Sequence, residues 1–127
     1  MLAQNFKTPV DLDMTEAEFD ALLKVLGMLE REEIPAHLFK MADIGAPDCG
    51  TPGCIMGWAR TILPKAFLHN SVFKHPTVPL FFPGGEGPFF FGGKYHSAYD
   101  ATQAQAAIAL RNHLTHGEPR WAEALSV

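Results

Sequence analysis

Two cysteines, Cys49 and Cys54, are the residues of this sequence with the most distinctive potential chemistry. Four residues separate them, and that spacing leaves three interpretations open. A local disulfide would close a short loop, a metal half-site would lie at the upper end of zinc-knuckle spacing, and two reduced thiols would pack near a tryptophan. A cysteine in the first turn of a helix would also have its thiolate stabilised by the helix dipole.

Two histidines on a predicted helix could complete a metal site. His113 and His116 are three residues apart, so both could reach one ion from the same helix face. With Cys49 and Cys54 they would form a Cys2His2 set, for which zinc is the expected metal. His116 could instead interact with the helix dipole without any metal. No established catalytic motif accompanies these residues, and a cysteine nucleophile would lack an identified base.

The segment around Cys54 predicts the start of a helix. Thr51 can cap the helix and Pro52 suits its first position, while Pro64 prevents continuation, so we expect a helix from about Pro52 to Leu63. The residues that we expect to support this motif are Gly50, Thr51, Gly57 and Trp58.

The run from Cys49 to Ala59 resembles the signature of a group of small bacterial and phage-borne proteins of unknown function. The shared pattern is Cys-Gly-Thr, two variable residues, Cys-Ile, one residue and Gly-Trp-Ala. Members of that group tend to have a Phe-x-Met segment upstream and a Thr-x-x-Gln-Ala helix downstream, as residues 39–41 and 102–106 have here. The resemblance implies a shared architecture and no known activity.

Two capping boxes predict the principal helices on either side of the motif. Thr15 and Glu18 begin a pattern of apolar residues at helical spacing that extends to about Arg31. Thr102 and Gln105 begin a second pattern that extends to about His116, where Gly117 ends it. We expect shorter helical turns after Pro35 and Pro119, the latter placing Trp121 and Leu125 in the core.

Residues 65–97 differ in composition, because they contain seven of the ten phenylalanines together with many glycines and prolines. Residues 80–82 and 89–91 could pair as a hairpin with a tip at 83–88, or the segment could form an irregular flap. The phenylalanines either complete the core or form a surface for a second copy or a protein partner.

The overall composition predicts one soluble globular domain, residues 1–127, with a net charge of −4. The bases are scattered singly, so we expect no nucleic-acid partner. No apolar run could span a membrane and no secretory signal is visible, so we expect no membrane partner and a cytoplasmic location.

We therefore expect a mainly α fold: a compact bundle of about three main helices and some short ones, with a Phe/Gly/Pro-rich loop or β-hairpin insert. The expected function is that of a small cytosolic accessory or interaction protein without a cofactor, in which the cysteine motif determines the fold. The alternative is a thiol-redox or zinc-binding protein that uses Cys49 and Cys54. The sequence favours a non-enzymatic role.

Overall fold

The protein is mainly helical and carries a small β-hairpin, as the sequence predicts. The computed structural model describes residues 6–41, 54–64, 77–81 and 89–126. Its helices are α1 (Glu16–Glu30), α2 (Ile55–Ile62), α3 (Val78–Phe81), α4 (Gln103–His116) and α5 (Trp121–Leu125). The strands are β1 (Phe89–Phe91) and β2 (Lys94–His96), and short 3-10 turns cover Ala36–Leu38 and Ala98–Asp100.

Both predicted capping boxes are present. The Thr15 side chain accepts a hydrogen bond from the Glu18 backbone amide, and the Glu18 side chain accepts one from the Thr15 amide. Thr102 and Gln105 form the same reciprocal pair at the start of α4. At the other end of α4, Gly117 has φ 85°, the left-handed conformation that glycine adopts without strain.

The helices pack around α1 and α4. Helix α1 contacts both α2 and α4, and α4 also contacts α3 and α5. The buried apolar residues of α1 are Ala21, Leu22, Val25, Leu26 and Leu29, and those of α4 are Ala106, Ala107, Ala109, Leu110 and Leu114. Both sets recur at helical spacing, which explains why their faces meet in the core.

Buried polar groups connect segments that are distant in sequence. The Gln103 amide binds both backbone groups of Ile34, accepting from the N–H at 3.2 Å and donating to the carbonyl. The Trp121 indole donates to the Pro79 carbonyl at 2.8 Å. Because a buried backbone group without a partner destabilises the fold, these bonds fix where the loops meet the helices.

The insert contains a hairpin, but its predicted first strand was wrong. Leu80 and Phe81 lie in α3 and are buried, whereas Phe82 lies outside the described residues. The partner of β1 is β2, which is antiparallel to it with Phe90 opposite Tyr95. Gly92 and Gly93 connect the strands with φ values of 63° and 81°, and paired positive φ angles are typical of a tight two-residue hairpin turn.

The described residues place the short elements where the sequence predicts them. The turn after Pro35 is a 3-10 helix, and α5 follows Pro119 with Trp121 and Leu125 buried. No helix in the four described ranges is long and apolar enough to cross a membrane.

Candidate functional site

The cysteine motif lies partly within the described residues. Cys54 is a free cysteine whose side chain is completely buried. It is the N-cap of α2, so the helix begins after it rather than at the predicted Pro52. Cys49, Gly50 and Thr51 lie outside the described residues, and with them the predicted thiol pair.

The environment of Cys54 disfavours its thiolate. Burial raises the pKa of the thiol above its ordinary value of 9.0, whereas the nearby backbone amides of Gly57 and Met56 lower it by a smaller amount. Loss of hydration therefore outweighs the stabilisation that we expected from the helix start, and a protonated, inaccessible thiol is a poor nucleophile.

The described part of the motif packs against the rest of the protein through α2. Gly57 is buried on α2, which packs against α1. The half-buried Trp58 contacts the core, and its indole donates a hydrogen bond to the Leu38 carbonyl at 3.3 Å. This bond connects α2 to the 3-10 turn that precedes the motif. The described part of the motif therefore has the contacts of a structural element.

The predicted zinc ligands differ in exposure. His113 is completely buried in α4, whereas His116 at the end of that helix is exposed. Among the residues that the structure describes, no group of three or more His, Cys, Asp or Glu side chains could hold a metal ion. Cys54, His113 and His116 are thus not brought together as ligands, and the zinc hypothesis, which also needs Cys49, stays a prediction.

Two open clefts border α4, and several of their polar side chains form contacts within the fold. One, of about 360 Å³, is lined in part by Arg111 and Glu30, which form an ion pair at 2.6 Å. The other, of about 350 Å³, includes Thr102 and Gln103, which respectively cap α4 and bind Ile34. Arg111, Glu30, Thr102 and Gln103 thus stabilise the fold through these contacts.

The hairpin offers a different kind of surface, formed by Phe90 and Tyr95, which we call the aromatic face. Phe90 is 62% exposed and Tyr95 is 71% exposed. The two rings lie directly across the hairpin, with centroids 4.8 Å apart and planes at 61°, an edge-to-face arrangement. The contact fixes both rings on a short, hydrogen-bonded support.

The opposite side of the hairpin faces the protein. Phe89 and Phe91 are half-buried and contact the core. Phe91 also stacks on His96, with ring centroids 3.9 Å apart, and His96 Nε2 lies 3.1 Å from the Phe91 carbonyl oxygen. Because side chains alternate along a strand, burial of Phe89 and Phe91 leaves Phe90 pointing outward.

Sequence reasoning placed phenylalanines 89–91 in a hairpin but did not identify the aromatic face. The signal that could have done so is the Gly92–Gly93 pair, since two consecutive glycines between short runs predict a tight turn. Pairing about that turn places Phe90 opposite Tyr95. The two sides of the hairpin thus divide the alternatives for its own phenylalanines, because Phe89 and Phe91 contact the core whereas Phe90 faces solvent. Phe67, Phe73 and Phe82 lie outside the described residues.

In comparisons with known proteins, the chain matches no family model, no curated protein and no solved structure. The resemblance of the Cys49–Ala59 motif to the small bacterial and phage-borne group therefore stays an expectation.

Proposed function

We propose that this protein is a small accessory protein that acts by binding another polypeptide, and that the aromatic face is its contact surface. The observation that carries this proposal is the exposure of Phe90 and Tyr95, side by side on one face of the hairpin. Single exposed apolar residues are ordinary, but two adjacent aromatic rings on a defined support are typical of binding sites.

The support is what distinguishes this surface from an incidental apolar patch. The tight Gly92–Gly93 turn, the strand pairing and the contact of Phe89 and Phe91 with the core all restrict the hairpin. A surface that is ordered before binding loses less conformational entropy when a partner docks. Tyr and Phe are also enriched in protein interfaces, where a few aromatic residues contribute most of the binding energy.

We assign the described part of the cysteine motif, Cys54 to Ala59, to folding rather than to catalysis. The thiol of Cys54 is buried, and the indole of Trp58 donates a hydrogen bond to the Leu38 carbonyl. The helix that carries both residues, α2, contacts α1. We place the protein in the cytoplasm, where thiols are kept reduced, in keeping with the free Cys54. A non-enzymatic role fits the buried thiol of Cys54, which is poorly placed to act as a nucleophile.

Photo-crosslinking in cells tests the binding role. A photoreactive benzoylphenylalanine replaces Phe90 in one variant and Val10 in a matched control, since Val10 is an exposed apolar residue outside the hairpin. We expect a discrete adduct on irradiation from position 90 and none from position 10. Absence of adducts at position 90, or the same adducts from both positions, would refute the proposal.

A further inference from the structure

Resting on the proposed binding role, we infer that the partner binds as an added β-strand along the outer edge of β2. This partner is an extended polypeptide segment that places a β-branched or aromatic residue opposite Tyr95 and an acidic residue opposite Lys94. Binding of this kind takes its affinity from main-chain hydrogen bonds and its specificity from alternate side chains. The backbone of the hairpin then takes part in binding together with the two rings of the aromatic face.

The strand register leaves backbone groups of the hairpin pointing outward. In an antiparallel pair, residues that exchange two backbone hydrogen bonds alternate with residues that exchange none. A two-residue turn is closed by a bonded pair, here Phe91 and Lys94, so the next pair, Phe90 and Tyr95, exchanges none. The N–H and C=O groups of Phe90 and Tyr95 therefore point away from the hairpin, along its two outer edges.

The outer edge of β2 continues beyond Tyr95. Ser97 has φ −120° and ψ 140°, so its backbone is still extended and its N–H points to the same side as that of Tyr95. Among the residues that the structure describes, none forms a backbone hydrogen bond with the N–H or C=O of Tyr95 or with the N–H of Ser97. An edge with unpaired backbone groups is a template for another strand.

The edge of β2 provides more hydrogen-bonding groups than the edge of β1. On β1 the outward groups belong to Phe90, and two positions earlier the sequence has Pro88, which has no N–H to donate. On β2 there are two donors and one acceptor, the N–H groups of Tyr95 and Ser97 and the carbonyl of Tyr95. An antiparallel partner strand pairs with all three.

The exposed side chains of β2 define the residues that suit the partner strand. Tyr95 is exposed on the aromatic face, and Lys94 is exposed on the other side of the strand. Directly opposite residues of adjacent strands interact, favourably for aromatic with β-branched residues and for opposite charges. A strand with valine opposite Tyr95 has its next residue opposite Lys94, where aspartate complements the ammonium group. Residues 89–99 contain no acidic side chain, so β2 of a second copy lacks this complement.

An NMR titration of the isotope-labelled full chain with a synthetic heptapeptide tests this inference. The probe is acetylated and alternates threonine with valine, with aspartate in place of the threonine that follows the central valine. At millimolar peptide, we expect the amide protons of Tyr95 and Ser97 to shift downfield and to exchange more slowly with solvent, because they become hydrogen-bonded. Val10, an exposed residue outside the hairpin, should keep its amide shift.

Two N-methylated versions of the peptide provide matched controls. In this pairing the valine N–H groups face β2 and the threonine N–H groups face away. Methylation of the threonine nitrogens should therefore preserve the shifts, whereas methylation of the valine nitrogens should abolish them. A peptide with lysine in place of aspartate should bind more weakly, and the variant Lys94→Glu should reverse this preference.

Two results would overturn strand addition. One is unchanged amide protons at Tyr95 and Ser97 with every peptide. The other is equal shifts with both N-methylated peptides, since the contact would then involve the rings rather than the backbone edge.

Photo-crosslinking from position 90 separates failure of this inference from failure of the proposed function. Adducts from position 90, together with unchanged amides at Tyr95 and Ser97, would overturn strand addition and leave the binding role intact. Amide shifts without cellular adducts would support strand addition at this edge and overturn its proposed use in cells. Unchanged amides without adducts would overturn both.

Discussion

Trp121 in α5 and Phe90 in the hairpin are both large aromatic residues, yet the first is completely buried and the second is 62% exposed. Trp121 also donates a hydrogen bond to Pro79 across a long sequence separation, whereas Phe90 makes an edge-to-face contact with its hairpin neighbour Tyr95. The indole of Trp121 therefore holds distant segments of the core together, while one face of the hairpin presents Phe90 and Tyr95 to solvent. Substitutions in the two regions should consequently affect different properties, stability in the core and association at the hairpin.

The largest loss of stability is expected for Trp121→Ala. Removing this buried indole creates a cavity and leaves the Pro79 carbonyl without its donor, so the free energy of unfolding should fall by about 3–5 kcal/mol. Urea denaturation followed by circular dichroism measures the change. Trp121→Phe keeps most of the ring and should cost less, and equal losses for the two variants would contradict the role given to ring packing.

Gln103→Ala should be the next most disruptive change. It removes both hydrogen bonds to the backbone of Ile34 and leaves those buried groups without partners, at a cost of about 2–3 kcal/mol. The same denaturation experiment applies, with Gln105→Ala as the comparison. Gln105 belongs to the exposed capping box, so its loss should cost about 1 kcal/mol or less.

Cys54 provides a prediction about pH. Its folded-state pKa is raised, so above pH 9 the unfolded chain releases the thiol proton while the native state retains it. The contribution of the Cys54 thiol to the free energy of unfolding is therefore complete below about pH 8. It falls as the pH rises beyond 9, by up to about 1.4 kcal/mol per pH unit. The stability difference between the unmodified chain and Cys54→Ala should follow this decline. A difference that stays constant to pH 10.5 would show that the thiol is not protected by burial.

Thr102→Ala tests the start of α4. Loss of the cap should reduce the free energy of unfolding by about 1 kcal/mol, because the Gln105 amide loses its acceptor. Thr102→Ser retains the hydroxyl group and should recover most of this stability. Equal stability of the alanine and serine variants would exclude the capping hydrogen bond as the cause.

The smallest effect on stability is expected at the aromatic face. Phe90→Ser changes a side chain that is mostly in solvent already, so the free energy of unfolding should change by about 0.5 kcal/mol or less. Urea denaturation measures this change, while the same substitution should weaken binding of a partner at the aromatic face. A large loss of stability would place Phe90 in the core and remove the contrast between the two regions.

The sequence by itself determined the helices whose ends carry specific side-chain signals. Thr15 and Thr102 mark the beginnings of α1 and α4, and Gly117 marks the end of α4, because capping bonds and glycine conformations depend on residues within one helical turn. The buried faces of these helices followed from the spacing of their apolar residues. The start of α2 was predicted less well: Thr51 and Pro52 are plausible start residues, but the helix begins after Cys54.

Only the tertiary structure decided how the thiol and the phenylalanines are used. The local pattern around Cys54 favours a thiolate, but complete burial has the larger effect on its pKa, and burial depends on segments far away in sequence. Phe81 and Phe90 likewise belong to similar aromatic runs, yet one lies in a buried helix and the other on an exposed hairpin face. Strand pairing and packing involve contacts between distant residues, so their outcome depends on which surfaces meet when the chain folds.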